Sequence, residues 1–158
     1  MSERIYKYFP SNVLDLVFAK EGYCGIKCSL PTDYNDPFEL FLGIDLDVGP
    51  EELATYRELV YELPQFPTTC FSLSPVVAPM WAHYAQNHSG FVIEFDRKAI
   101  KDTFDDIAIQ NVIYRDKPDE SISASLARAA VTKKPRHAVW LRQAVVHYAY
   151  FSKYTTWS

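Results

Sequence analysis

The feature that most constrains this chain is a change of character at Pro118. Before it, short apolar runs alternate between strand-like and helix-like spacing and are cut by prolines and turn residues. After it, the sequence is rich in Ala and Ser and keeps a helical spacing almost to its end. Mixed strands and helices followed by helices alone specify an α+β fold rather than an alternating doubly wound one. The expected architecture is a small mixed or antiparallel sheet with flanking helices and a helical C-terminal third. A chain of 158 residues is of single-domain size. The expectation is one domain over 1–158, with a mixed part at 1–117 and a helical part at 118–158.

Local signals give the element order. Arg4 to Phe9 reads as a strand closed by Pro10, and Ser11-Asn12 can cap a helix through Val13, Leu14, Leu16, Val17 and Phe18 that stops at Gly22. Tyr23 to Leu30 reads as a second strand. Pro31 to Glu39 carries turn chemistry, with Asp36 held extended by Pro37. Phe38 to Leu46 is apolar. Pro50 suits the first turn of a helix over Glu51 to Leu63. Thr68 to Leu73 and Gly90 to Phe95 read as strands, the second with Phe91, Ile93 and Phe95 on one face and Val92 and Glu94 on the other. Helices are expected at Met80 to Asn87, Arg97 to Thr103, Ser121 to Val131 and, beyond a break at Pro135, His137 to Tyr154. Ile107 to Tyr114 alternates like a strand.

Charge and composition exclude several functions. The formal net charge is −4 and basic residues are scattered apart from Lys133-Lys134-Pro135-Arg136. A general binder of nucleic-acid backbone needs a basic stripe, so a small molecule or a protein with a basic face is the expected partner. No apolar run approaches the roughly 20 residues of a membrane span, and no secretory h-region opens the chain, so the expected location is the cytoplasm. Cys24, Cys28 and Cys70 are expected as reduced thiols. A zinc site lacks a fourth ligand at suitable spacing, and no metal is expected.

Two constellations carry chemistry. Asn35-Asp36-Pro37-Phe38-Glu39 places two carboxylates and an amide within a few residues. If Asp36 and Glu39 converge, one can hold a proton while the other stays charged. The same residues equally serve a turn by bonding their own backbone. Met80-Trp81-Ala82-His83-Tyr84 lies on a helix, with His83 a titratable group beside two aromatics. Aromatics at helical spacing are also ordinary packing pieces. His137 and His147 are too far apart along one helix to share a metal, about 15 Å by helix rise.

Tyr6-Lys7-Tyr8, Asn35 to Glu39, Cys70-Phe71-Ser72, Met80 to Tyr84 and Gly90-Phe91-Val92-Ile93-Glu94-Phe95-Asp96 occur in one order. That order resembles the bacterial family called domain of unknown function 2971, from about residue 5 to the end. Members of that family typically continue past a Lys–aromatic–Trp segment, which Lys153 and Trp157 resemble, into a second half that opens with a Glu-rich, Arg-containing strand. The resemblance therefore implies a short or C-terminally truncated relative. The family's layout is in turn similar to ADP-ribosyltransferase-like domains. On that analogy Lys7 or Tyr8 and Ser72 face a nicotinamide-nucleotide pocket, and the late catalytic Glu is missing unless Glu39 or Glu94 replaces it.

The expected site is thus Asp36, Glu39 and His83 as catalytic groups, with Lys7, Tyr8, Asn35, Ser72, Trp81, Tyr84 and Glu94 around a ligand. The first functional reading is a bacterial or phage defence-related domain that binds or modifies with an NAD-like nucleotide, as an enzyme or a degenerate relative. The alternative is a non-enzymatic, acidic interaction protein that binds and inhibits a protein partner.

Overall fold

The structure, a computed structural model, describes residues 3–30, 33, 49–116, 120–132 and 135–154. It is α+β, in two compact units, Met1–Ser29 with Pro67–Ile109, and Leu30–Phe66 with Gln110–Ser158.

In the first unit, β1 (Arg4–Phe9) pairs antiparallel with β2 (Phe91–Asp96), from Arg4 opposite Asp96 to Phe9 opposite Phe91. Both runs are β-branched and aromatic, which suits a pleated, half-buried surface. The Arg97 N–H donates to the Glu3 carbonyl at 3.1 Å, which extends the register and fixes its phase. Odd-numbered residues of both strands therefore exchange the ladder hydrogen bonds, and even-numbered ones turn their N–H and C=O outward. Tyr6 confirms the phase by exchanging two bonds, at 2.8 and 2.7 Å, with Ser72 on the outer side of β1.

Helices α1 (Leu14–Val17), α3 (Ala78–Tyr84) and α4 (Arg97–Thr103) complete this unit. Pro79 lies in the first turn of α3, where its missing N–H costs nothing. Asp96 ends β2 and caps α4, accepting from Lys98 N at 2.9 Å and Ala99 N at 3.1 Å. Ile5, Tyr8, Phe9, Val17 and Ala85 are buried, and the Phe9 and Phe91 rings stack with centroids 5.3 Å apart. Between α3 and β2 the chain runs through three successive left-handed residues, Gln86, Asn87 and His88, with φ of 49°, 51° and 67°. Gly90 follows, and a Cβ there would overlap the Phe9 carbonyl oxygen and the Ala85 backbone.

The second unit is helical at its centre. Helices α2 (Pro50–Tyr61), α5 (Glu120–Thr132) and α6 (Pro135–Phe151) bury Tyr56, Leu59, Leu63, Ile122, Leu141, Val145 and Ala149. The buried residues of α6, Leu141, Val145 and Ala149, recur every four positions, one stripe of a helix facing a core. Tyr150 donates to the Pro64 carbonyl at 2.6 Å and accepts from Phe66 N at 3.0 Å, closing the segment after α2. Short strands β3 (Ile113–Arg115) and β4 (Ser152–Tyr154) pair in parallel.

Five expected elements need correction. Tyr23 to Leu30 and Thr68 to Leu73 are not strands; they meet only in isolated bridges, Ser29 with Thr68 and Ser72 with Tyr6. The first helix shrinks to Leu14–Val17, preceded by a 3-10 turn at Ser11–Val13; Val17 is buried, while Leu14, Leu16 and Phe18 stay largely exposed and give a longer helix little to bury. Of Ile107 to Tyr114, only Ile113 and Tyr114 join a strand. Pro135 opens α6 rather than standing before it, and Ser152 to Tyr154 leave the helix to form β4.

Candidate functional site

Directly opposed residues of an antiparallel pair share a face. One face of the β1–β2 sheet therefore carries Arg4, Tyr6 and Tyr8 with Asp96, Glu94 and Val92. Ser72 joins that face through its bridge to Tyr6, so Ser72, Tyr6 and Glu94 form a row across three neighbouring segments. The Tyr6 phenol donates to Glu94 Oε2 at 3.0 Å, and Arg4 Nε lies 3.6 Å from Glu94 Oε1. The bond to the Glu94 carboxylate raises the Tyr6 phenol above its usual value, because ionisation would lose the donor and set two anions together. Glu94 remains exposed. A carboxylate offers about four lone-pair directions, so these two partners leave acceptor capacity facing solvent.

Tyr8 and Trp81 sit differently. Tyr8 is 5% exposed; its phenol donates to the Ser74 carbonyl at 2.9 Å and accepts from Val77 N at 3.2 Å. Its ring meets Trp81 edge-on at 5.3 Å, and Trp81 Nε1 donates to the Pro75 carbonyl at 2.8 Å. Ser72 Oγ donates to the same Ser74 carbonyl at 2.9 Å and accepts from Ser74 N at 3.2 Å. The hydrogen-bonding capacity of Tyr8, Trp81 and Ser72 thus goes largely into fixing the segment from Ser72 to Val77.

Lys7 points to the other face, with Ile5, Phe9, Phe91, Ile93 and Phe95. Its ammonium lies over the Phe9 and Phe71 rings, at 5.9 and 5.7 Å, and donates to the Cys70 carbonyl at 3.2 Å. Cys70 stands between the bridged residues Thr68 and Ser72, and its carbonyl takes a side chain in place of a backbone partner. Burial pushes the Lys7 amine below its usual value, and the Cys70 and Cys28 thiols oppose that shift.

The expected site is therefore divided. Ser72, Tyr8, Trp81 and Glu94 belong to one side of the sheet and Lys7 to the other. His83 and Tyr84 are exposed in the last turn of α3, and the His83 side chain makes no hydrogen bond or ion pair among the described residues. Asn35, Asp36 and Glu39 lie outside the described residues. Sequence reasoning passed over Arg4 and Tyr6. The signal was available, since a period of two puts both on the face of Tyr8, and the register then brings Glu94 beside them. Among the described residues no group of three or more His, Cys, Asp or Glu side chains is placed to hold a metal, and no helix is long and apolar enough to cross a membrane.

No curated protein and no solved structure matches the chain. The model of a family described as "Protein of unknown function (DUF2971)" matches residues 80–158. That stretch is half of the chain and runs from Met80 in α3 through β2 and Glu94 into the helical part. The chain belongs to the DUF2971 family.

Proposed function

We propose that the chain binds an NAD-like nucleotide across the polar face of the β1–β2 sheet, with Glu94 accepting from ribose hydroxyls. The observation that carries this reading is the Glu94 carboxylate, exposed at the centre of that face and held in place by Tyr6 and Arg4. A carboxylate oriented by two donors is a pre-organised acceptor for a vicinal diol, and Arg4 supplies a cation for a phosphate oxygen. The half-buried Ser72 and the rigid Tyr8–Trp81 pair support the edge of the same surface.

Calorimetric titration with NAD tests the reading. Wild-type protein should release heat with a saturable isotherm, and Glu94→Gln, which keeps the shape but loses the charge, should weaken binding at least tenfold, about 1.4 kcal/mol. A flat isotherm for folded wild-type protein would sink it. Mass analysis of the recovered nucleotide separates a ligand that is bound from one that is consumed.

A second reading, binding of a protein partner, is favoured by one observation. Leu73, Val76 and Tyr84, in and after the segment that Tyr8 fixes, are 63%, 81% and 57% exposed. Exposed apolar side chains on a rigid support suit a protein contact. Val76→Asp separates the two readings, since it leaves NAD binding intact and abolishes a partner contact.

A further inference from the structure

Among the described residues the outer edge of β2 is open. The ladder phase turns the N–H and C=O groups of Val92 and Glu94 away from β1, and they meet no backbone partner among the described residues. The outer edge of β1 differs, because Ser72 occupies it at Tyr6. An open strand edge is a template for another strand. A two-stranded ribbon is also marginal in water by itself, so an added strand has much to stabilise.

We propose that the strand this edge takes is β2 of a second copy of the chain, antiparallel, with Ile93 facing Ile93 of the second copy. The sequence of β2 fits itself in that register. Val92 faces Glu94 of the second copy, and the outward N–H and C=O groups of these two residues exchange hydrogen bonds on both sides of the axis. Phe91 faces Phe95 of the second copy, so the apolar faces of the two sheets join into one stripe. The competing register, centred on Glu94, sets two carboxylates directly opposite each other, which is unfavourable. Glu94 therefore selects the register as well as blunting the edge. The contact is isologous, each copy using the same edge, so pairing at this edge closes on itself and yields a dimer rather than a fibre.

Light scattering across a dilution series at physiological salt tests the proposal. Wild-type protein should show a mass near twice 18.2 kDa that falls on dilution. Val92→Pro removes an outward N–H and leaves every β1–β2 ladder bond in place, so it should stay monomeric at all concentrations while keeping its circular dichroism. A second measurement stands if that variant does not fold. With Cys24, Cys28 and Cys70 all changed to Ser, Ile93→Cys should form an intermolecular disulfide on mild oxidation, because a non-hydrogen-bonded antiparallel pair brings the two Cβ atoms within bridging range. Glu94→Cys in the same background should not. A monomeric mass for wild type throughout, an unchanged dimer in folded Val92→Pro, or cross-linking through position 94 in preference to 93 would each overturn the proposal.

Discussion

Tyr8→Phe is the perturbation that most directly tests how the site is held. The substitution removes one oxygen and leaves the ring against Trp81. That oxygen donates to the Ser74 carbonyl at 2.9 Å and accepts from Val77 N at 3.2 Å, so its loss strands one acceptor and one donor. The Ser74 carbonyl keeps Ser72 Oγ as a donor, which softens the first loss. The Val77 N–H keeps no other acceptor among the described residues, and Val77 is half-buried. An unsatisfied buried group costs about 1–3 kcal/mol. With one full orphan and one half-compensated group, the expected cost is about 1.5–3 kcal/mol. For a chain of this size each kcal/mol lowers the Tm by about 2–4 °C, so the expected drop is roughly 3–12 °C. Urea unfolding followed by Trp fluorescence and far-UV circular dichroism measures it, with a lowered midpoint at unchanged slope. A cost below about 0.5 kcal/mol, the range of an ordinary surface change, would refute the claim that Tyr8 fixes the segment from Ser72 to Val77.

Three further outcomes follow from the same geometry. Asp96→Ala should destabilise by about 0.5–2 kcal/mol through loss of the α4 cap, and Asp96→Asn should recover most of it, both read by urea titration. Gly90→Ala should cost more than the helix-propensity scale would suggest, because the new methyl meets rigid backbone of Phe9 and Ala85; thermal melts should show a clear loss where a solvent-exposed glycine would show a gain. Lys7→Met should change the pH dependence of stability. The folded amine sits below its ordinary value of 10.5, so the unfolded chain binds the extra proton between the two values and wild-type stability rises with pH through that window. Subtracting the Lys7→Met profile should isolate that rise, and a difference that is flat or falling up to pH 10.5 would contradict burial of the amine.

The parts of the fold legible in the sequence were those with an unbroken period or a cap. β2 alternates cleanly and ends in Asp96, which both terminates the strand and caps α4, so its position and that of the following helix could be read off. Helix α2 announces itself by Pro50. The segments around Ser29 and Ser72 carry strand-like residues but pair at single positions; beside Ser72 the neighbouring carbonyls take side chains instead, Cys70 that of Lys7 and Ser74 those of Tyr8 and Ser72. Such substitutions of side chain for strand leave no trace in periodicity. The site followed the same logic. Glu94 and Ser72 share a face because of a register set between residues far apart, and no local pattern reveals a register. The resemblance offers Lys7 or Tyr8 for one pocket, whereas adjacent strand residues face opposite ways.

The pairing of Tyr6 with Glu94 spans 88 positions. Closing a loop of that length costs about 4 kcal/mol of chain entropy before any cross-strand contact repays it. A strand at the start of the chain must therefore wait for its partner while Ile5, Tyr8 and Phe9 stay uncovered. Contacts of such long range slow folding relative to helical contacts of short range. During synthesis α2 can form from local sequence, but the sheet that carries Glu94 cannot exist until β2 has left the ribosome, with α5 and α6 still to follow. The period before that moment is when the apolar N-terminal strand is most open to a chaperone, and a slow refolding phase reported by Trp81 but absent from helix formation would be its kinetic signature.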